Sequence, residues 1–254
     1  MKAIVLGLGT QGNKRKKILL KKNSYYCSVD PINKRAEFQN LNQIVFNKFD
    51  TVFICTPDFL KERYIFFFLK NKKNIFVEKP LKISPKKLSQ IKKLSKKNKS
   101  LVYVGYNHRF EPHFVKLKKL IKNNTIGKLL YLNIVYGNGT SKLVANSWRN
   151  KNLSIFDDIG SHIIDLIFEW FGVQEIKKIK VIKSKLENNF DDHIVVYFIL
   201  KNDLQINIQI SYCYWKNDFK LNLIGKKGSI SINNLCKWGA SKLEIHKRVY
   251  PSGI

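Results

Sequence analysis

The run Gly7-Leu8-Gly9-Thr10-Gln11-Gly12 follows a short apolar stretch, Ala3 to Leu6, and opens a helical pattern. Three glycines at this spacing between a strand and a helix serve one kind of chemistry. The first permits a tight turn, the second lets a pyrophosphate approach the backbone, and the third lets helix and strand pack closely, while the helix start offers amide donors to the anion. Asp30 stands at the end of the second apolar run, where a carboxylate accepts the 2′-hydroxyl of an adenosine ribose and repels a 2′-phosphate. NAD is the favoured dinucleotide on that ground. Lys34 and Arg35 just beyond could accommodate the phosphate of NADP.

Two further groups of residues could carry a reaction. Cys55-Thr56-Pro57 and Val77-Glu78-Lys79-Pro80 each end a strand-like run, so both belong at the carboxyl edge of a parallel sheet, where ligands bind in open α/β folds. Lysine is common on this surface, but Lys79 is the only one between Ile75 and Leu81. Much later, Asp158, His162 and Asp165 are spaced i, i+4, i+7 on an expected helix from about 157 to 171, which puts them on one face. Ile159, Ile163, Leu166 and Trp170 form its apolar stripe. A single helical histidine is more often structural than catalytic. A carboxylate beside it changes that balance, because it can orient the ring and stabilise the imidazolium formed when the histidine accepts a proton.

The elements that must hold these residues are legible from periodicity. Ala3 to Leu6, Tyr25 to Val29, Thr51 to Cys55, Ile75 to Val77 and Leu101 to Val104 are short and rich in β-branched or aromatic residues, as buried parallel strands are. Amphipathic stretches lie between them. One starts at Ser84-Pro85, an N-cap followed by proline at the first helical position. From about Phe110 the rhythm changes: a helix through Phe114, Leu117 and Leu120 that ends near Gly127, a long strand from Leu129 to Tyr136, the helix of the polar trio, then alternating strands. Ile194 to Leu200 and Leu204 to Ile210 read as a hairpin. Two domains are expected, 1–109 and 110–254. The second should be a mostly antiparallel sheet covered on one face, so self-association through its open face is expected. Asp192 and His193 are expected to open a strand, His113 to sit on a solvated helix face, and His246 to lie in the tail.

Composition narrows the partners. The net charge is +29, yet Arg15, Arg35, Arg63, Arg109, Arg149 and Arg248 are the only arginines among 47 basic residues, and the aromatic residues sit in apolar runs instead of alternating with cations. Base-edge readout and stacking on single strands both call for the opposite pattern, so nucleic acid is not the expected partner. No run is long and apolar enough for a membrane span, and the N-terminus enters a strand pattern directly, without the marks of a secretory signal. Cys27, Cys55, Cys213 and Cys236 show neither metal-site spacing nor a disulfide framework. A cytoplasmic protein without a metal site is expected.

Taken in order, Gly7-x-Gly9-x-x-Gly12, Asp30, Thr56-Pro57, Glu78-Lys79-Pro80, Gly105-Tyr106-Asn107-His108-Arg109-Phe110, Trp148-Arg149, Asp158-Ile-Gly-Ser-His162-Ile-Ile-Asp165 and the late Gly225-Lys-Lys-Gly228 resemble the Gfo/Idh/MocA oxidoreductases. The resemblance implies an α/β chain: an N-terminal Rossmann domain with a doubly wound parallel sheet, then an α+β domain with an open-faced, mostly antiparallel sheet. It implies hydride transfer between NAD(P) and a carbinol carbon of a sugar, cyclitol or sugar nucleotide. Lys79, Asp158 and His162 match the family's catalytic residues. Gly7, Gly9, Thr10, Gln11, Gly12, Asp30, Thr56, Pro57, Glu78, Lys79 and Asn107 match its cofactor-binding positions, and Arg109, Trp148, Arg149 and Asp165 are assigned to the substrate side, with the cofactor border and packing at the domain junction left open for Arg109 and Trp148. The chain departs from the pattern at Lys61, where members often carry histidine, and at Asn152-Leu153-Ser154, where they often carry glycines. The same resemblance leaves two other readings open: a dinucleotide-binding subunit without catalysis, and an enzyme that uses tightly bound NAD for redox-assisted hydrolysis or epimerisation.

Overall fold

The computed structural model describes residues 2–147, 150 and 153–250. Trp148, Arg149 and Asn152 lie outside them. The chain divides into two compact units, Met1–Tyr106 and Asn107–Ile254.

The first unit is a five-stranded parallel sheet in the order β2-β1-β3-β4-β5, formed by β1 (Ala3–Leu6), β2 (Tyr25–Val29), β3 (Thr51–Ile54), β4 (Asn74–Val77) and β5 (Val102–Val104). Helices α1 (Thr10–Lys21), α2 (Asp58–Lys70) and α3 (Pro85–Asn98) make the crossovers. Apolar side chains leave β1 on both sides: Ile4 and Leu6 join Phe68, Leu69 and Ile91, while Ala3 and Val5 join Leu8 and Leu19. This is why the strands read as unbroken apolar runs and why β1 is buried at every position. α3 starts as expected, with the Ser84 hydroxyl accepting from the Lys87 amide and Pro85 at its first position. The strand order reverses between β1 and β3, a topological switch point.

Between β2 and β3 the chain is held by Glu37. Its carboxylate accepts from Tyr25 Oη (2.6 Å), Lys16 Nζ (2.5 Å), the Ser28 amide (2.9 Å) and the Ser28 hydroxyl. Phe38 meanwhile exchanges backbone bonds with Ser28 and Asp30. Burial alone would raise the Glu37 pKa, but the bonds from Lys16, Ser28 and Tyr25 outweigh it and hold the carboxyl at about 2.

The second unit is a seven-stranded sheet in the order β12-β11-β10-β6-β9-β8-β7. Its strands are β6 (Leu129–Gly137), β7 (Ile176–Ser184), β8 (His193–Leu200), β9 (Gln205–Ser211), β10 (Asp218–Gly225), β11 (Gly228–Asn233) and β12 (Lys242–Lys247). All pairings are antiparallel except β6 with β9. The expected hairpin is β8–β9. Along β8, buried Ile194, Val196, Phe198 and Leu200 alternate with half-buried His193, Val195, Tyr197 and Ile199. The buried set packs with α4 (Pro112–Lys122) and α6 (Ser161–Phe171) through Phe114, Leu117, Ile163, Leu166 and Trp170. The other face carries no helix from among the described residues. A short helix, α5 (Ser141–Ala145), follows β6.

Three expectations are corrected here. His246 belongs to β12, opposite Ser229, and not to a tail, because Leu243 and Ile245 give that segment an alternation too short to stand out among the surrounding lysines. The helix of the polar trio is not α-helical throughout: Phe156–Gly160 is a π turn, and the α-helix begins at Ser161. The helix through Phe114 stops at Lys122, well before Gly127.

The Glu37 network yields a prediction with a definite sign. A carboxyl with a folded pKa of about 2 and an ordinary unfolded value stabilises the fold at neutral pH, and that contribution is lost as pH falls from about 4.5 toward 2. The melting temperature should therefore fall over this window, and Glu37→Gln should lower it at pH 7 while flattening the acid limb. Calorimetry at a series of pH values checks both.

Candidate active site

In the first unit the ladder continues one residue past β1, β3, β4 and β5. Gly7 donates to Val29 O (2.9 Å), Cys55 to Leu6 O (2.8 Å), Glu78 to Ile54 O (2.9 Å) and Gly105 to Val77 O (2.8 Å). These bonds place the glycine turn, Thr56-Pro57, Glu78-Lys79 and Gly105 side by side on one carboxyl edge. Gly7 has φ +89°, and a Cβ built on it would lie 2.9 Å from the Cys55 carbonyl, so the turn both needs the left-handed region and leaves no space for a side chain. At Gly12 a Cβ would meet Gly7 O at 1.9 Å. Gly9 differs, since nothing in the chain lies within 4 Å of its built Cβ. Glycine there leaves open space in front of the α1 start, a helix end that no side chain caps. Thr10 and Gln11 are exposed in that first turn.

Asp30 ends β2 facing this turn. One carboxylate oxygen accepts from the Leu8 amide at 2.6 Å; the other accepts from Ile32 and Asn33, both at 2.9 Å. Asn33 Nδ2 returns a bond to Leu8 O at 2.8 Å. Burial opposes ionisation, but the three amides prevail and hold the Asp30 carboxyl below its usual range. A fixed anion thus stands beside an uncapped helix start and an unobstructed glycine. The buried Thr56 hydroxyl has no hydrogen-bond partner among the described residues. These features fit a dinucleotide: amides for the pyrophosphate, a carboxylate for the ribose and an unclaimed donor at the strand edge.

Glu78 is buried and occupied. Arg15 reaches across from α1 to its carboxylate at 2.6 Å, with the guanidinium 4.7 Å from the Phe76 ring centroid. Glu78 therefore ties α1 to the β4 tip. The half-buried Lys79 follows, joined to Pro80 by a cis peptide.

The second unit gathers the other candidates. Asp158 lies in the π turn, an irregularity common at functional sites. That turn starts from a reciprocal cap, in which Ser154 N and Oγ donate to Asp157 while the Asp157 amide donates to Ser154 Oγ. It presses on β9 at Gly160, where a Cβ would stand 2.8 Å from Ile210 Cδ1. Tyr212, just past β9, donates to Asp158 Oδ2 at 3.0 Å. The Tyr212 amide in turn bonds the carbonyl of Asp192, a fully buried residue. Asp192 gathers the amides of Leu186, Glu187 and Asn188, and Asn188 Nδ2 reaches Ser141 Oγ at 2.5 Å. His193 opens β8 as expected, while Asp192 organises the loop before it.

One turn beyond Asp158, the buried His162 ring packs against the buried His108 ring, with centroids 4.1 Å apart and planes 36° apart. His108 is backed by Tyr136 (5.7 Å) and Phe114 (6.4 Å), and its Nδ1 lies 3.4 Å from Asn107 Oδ1. Burial, then the Asp158 charge, pushes the Tyr136 phenol upward. Asp165 is engaged elsewhere: Arg109 grips it through Nε (2.7 Å) and Nη2 (2.5 Å), with Glu169 on Arg109 Nη1 at 2.9 Å. The polar trio is therefore divided. Asp158 and His162 share one buried cluster, and Asp165 anchors the turn of Asn107–Phe110 to α6.

Sequence reasoning did not single out His108, Tyr136, Tyr212 or Arg15. His108 lay inside a quoted motif and could have been found by asking which residue would back a catalytic ring. Tyr212 and Arg15 carry no local signal, because their partners are remote in sequence. Trp148 and Arg149 lie outside the described residues.

The Asp30 clamp predicts that Asp30→Ala loosens the Gly7–Gly12 turn as well as removing a ribose acceptor. Titration by nucleotide fluorescence should show weaker NADH binding by about tenfold or more and a reduced preference over NADPH. Unchanged selectivity would separate Asp30 from the ribose.

Residues 6–106 match the profile of the oxidoreductase family with an NAD-binding Rossmann fold, and residues 114–231 match the GFO/IDH/MocA C-terminal domain. Among curated relatives, glucose-6-phosphate 3-dehydrogenase of Bacillus subtilis is 24% identical over 208 residues, 75% of this chain and 59% of the relative. Inositol 2-dehydrogenase of Rhizobium meliloti is 25% identical over 194 residues, 73% of this chain and 57% of the relative. The chain spans less than two thirds of the length of these relatives. Among solved structures, a probable dehydrogenase from Thermotoga maritima superposes with a TM-score of 0.80 at 22% identity, covering 98% of this chain and 83% of its own. The WlbA dehydrogenase from Chromobacterium violaceum, in complex with NADH and UDP-GlcNAcA, gives 0.82 at 16% identity, covering 98% and 78%. With both profiles matched in order along the same chain, the protein belongs to the Gfo/Idh/MocA oxidoreductase family.

Proposed function

We propose that this chain is an NAD-dependent dehydrogenase or reductase acting on a carbinol carbon of a sugar, cyclitol or sugar nucleotide. The observation that carries the reading is the fixed Asp30 carboxylate beside the uncapped α1 start and open Gly9, in a chain whose second unit buries Asp158 and His162 in one cluster. Residues 1–109 serve as the cofactor domain and 110–254 as the substrate domain. The named relatives act on glucose 6-phosphate and inositol, which supports a polyhydroxylated substrate.

NAD, when bound, supplies the hydride acceptor for oxidation, and NADH the donor for reduction. Gly7, Gly9, Thr10, Gln11 and Gly12 bind its phosphates, Asp30 the ribose, and Thr56, Pro57, Glu78, Lys79 and Asn107 the remainder of that site. In the oxidising direction His162 takes the hydroxyl proton on its imidazole, and the His108 ring packed against it restrains its orientation. Asp158, itself held by the Tyr212 hydroxyl, offsets the charge of the imidazolium. Lys79 Nζ donates to the substrate oxygen and stabilises negative charge developing there. Arg109 and Asp165, joined in an ion pair, shape the substrate wall.

The open sheet face is proposed to join copies of the chain. Tyr131, Val135, Val195, Tyr197, Ile199 and Ile224 alternate with the core positions of their strands and leave apolar surface on that side. Light scattering at micromolar concentration should give a dimer or larger species, and a monomer would contradict this assignment. No helix among the described residues is long and apolar enough to cross a membrane, and a cytoplasmic setting is proposed.

The primary test is titration with NADH and NADPH by fluorescence, followed by a panel of sugars, cyclitols and nucleotide sugars read at the nicotinamide absorbance. Lys79→Ala and His162→Ala should each lower turnover by about a hundredfold or more with cofactor affinity nearly unchanged. Comparable activity in both variants would sink the mechanism. Binding without turnover of any panel member would favour a dinucleotide-sensing subunit or an enzyme that retains its NAD.

A further inference from the structure

Lys61 lies one turn into α2 and is 2% exposed, whereas the other lysines among the described residues face solvent or half-bury their stems. An ammonium is taken out of water at substantial cost and persists there only with partners. Lys61 has two. Its Nζ is 2.5 Å from Asp58 Oδ1 on the same helix and donates to the backbone carbonyl of Pro80 at 2.8 Å, a bond buried throughout. The first contact fixes the cation relative to α2. The second crosses from α2 to the carbonyl of the residue that follows Lys79, just beyond the carboxyl tip of β4. Burial holds the Lys61 pKa below its usual range, against the Asp58 bond and the Asp58 and Glu78 charges that raise it; the Lys79 charge is felt there too.

We propose that Lys61 is the positioning residue for Lys79: its buried ammonium, braced by Asp58, grips the Pro80 carbonyl and so fixes the backbone from which Lys79 reaches its target. Two braces then converge on the Glu78-Lys79-Pro80 tip. Arg15 from α1 holds the side chain before Lys79, and Lys61 from α2 holds the carbonyl after it. The Lys79 backbone therefore lies between two fixed points. An apolar side chain at position 61 would leave the Pro80 carbonyl and the half-buried Asp58 without the cation, and the tip would be fixed on one side only. The role is distinct from catalysis, since Lys61 is enclosed in the protein and acts through Lys79. The inference rests on the reading of Lys79 as the group that polarises the reacting oxygen.

The test compares the wild-type chain with Lys61→Met, Lys61→Gln and Lys61→Arg. For a substrate found in the panel, Lys61→Met should lower kcat by about tenfold or more, as displaced catalytic groups do, while the NADH Kd stays within about twofold. Lys61→Arg, which keeps a cationic donor, should recover most of the loss. Lysine labelling with trace acetic anhydride, read peptide by peptide, needs no substrate. The Lys79 rate should change by about threefold or more in Lys61→Met relative to Lys99 and Lys142, and return toward wild type in Lys61→Arg. Lys61→Gln keeps a donor without the charge and takes the place of Lys61→Met if that variant does not fold. An unchanged kcat and Lys79 labelling rate in a folded Met or Gln variant would overturn the proposal, as would an equal loss of NADH affinity. If the wild-type chain turns over no panel member, the dehydrogenase reading fails, and the labelling comparison alone still decides whether Lys61 positions Lys79.

Discussion

A backbone amide at the end of a buried parallel strand must find an acceptor, and here each finds it on the neighbouring strand one residue beyond the regular ladder. Gly7, Cys55, Glu78 and Gly105 all bond in this way. That requirement brings the tips of β1, β3, β4 and β5 into one line before any side chain is considered. Side-chain ties then sharpen the alignment: Asp30 clamps the amide after the glycine turn begins, Arg15 holds Glu78, and Lys61 holds Pro80. The steric demands at Gly7 and Gly12 are the covalent counterpart of the same alignment, since either Cβ would force adjoining backbone apart.

The second unit solves a different problem. It must keep acidic and imidazole groups within a largely apolar core, where an unpaired charge is costly. Each group is met by a partner from another element. Tyr212 meets Asp158 from the end of β9, His108 meets His162 from the turn before α4, and Arg109 meets Asp165 from that same turn. The π turn is part of this arrangement, because it brings Asp158 to Tyr212 while Gly160 lies against Ile210.

The parts of this structure legible in the sequence are those in which spacing along the chain is itself the signal. The glycine turn, Asp30 at a strand end, the Ser84-Pro85 helix start and the β8–β9 hairpin all follow from neighbours within a few residues. Asp158 and His162 were visible for the same reason, although helical periodicity could not show that the first of them sits in a π turn. The remaining features depend on pairs far apart in sequence. Arg15 with Glu78, Lys61 with Pro80 and Asp192 with the Tyr212 amide join residues that have no common local pattern. His246 shows the same limit at strand level, since β12 is defined by its pairing with β11 more than by its own alternation. Asp165 was legible as a helical carboxylate but not as the partner of Arg109, a pairing that also makes it a tether between the Asn107–Phe110 turn and α6.

The parallel pairing of β6 with β9 has a consequence for how the chain is made. β6 lies at the centre of its sheet, yet both of its neighbours, β9 and β10, are encoded after two further strands and the helices between. During synthesis β6 leaves the ribosome long before either partner exists, carrying Leu132, Ile134 and Tyr136 on one side with only α4 already made to cover them. The first unit has no such delay, because each of its crossovers closes locally. The central pairings of the second unit therefore depend on distant contacts, the regime in which folding is slow and exposed strands seek foreign edges. The dense lysine flanks of this chain place like charges around those waiting strands and keep nascent copies apart.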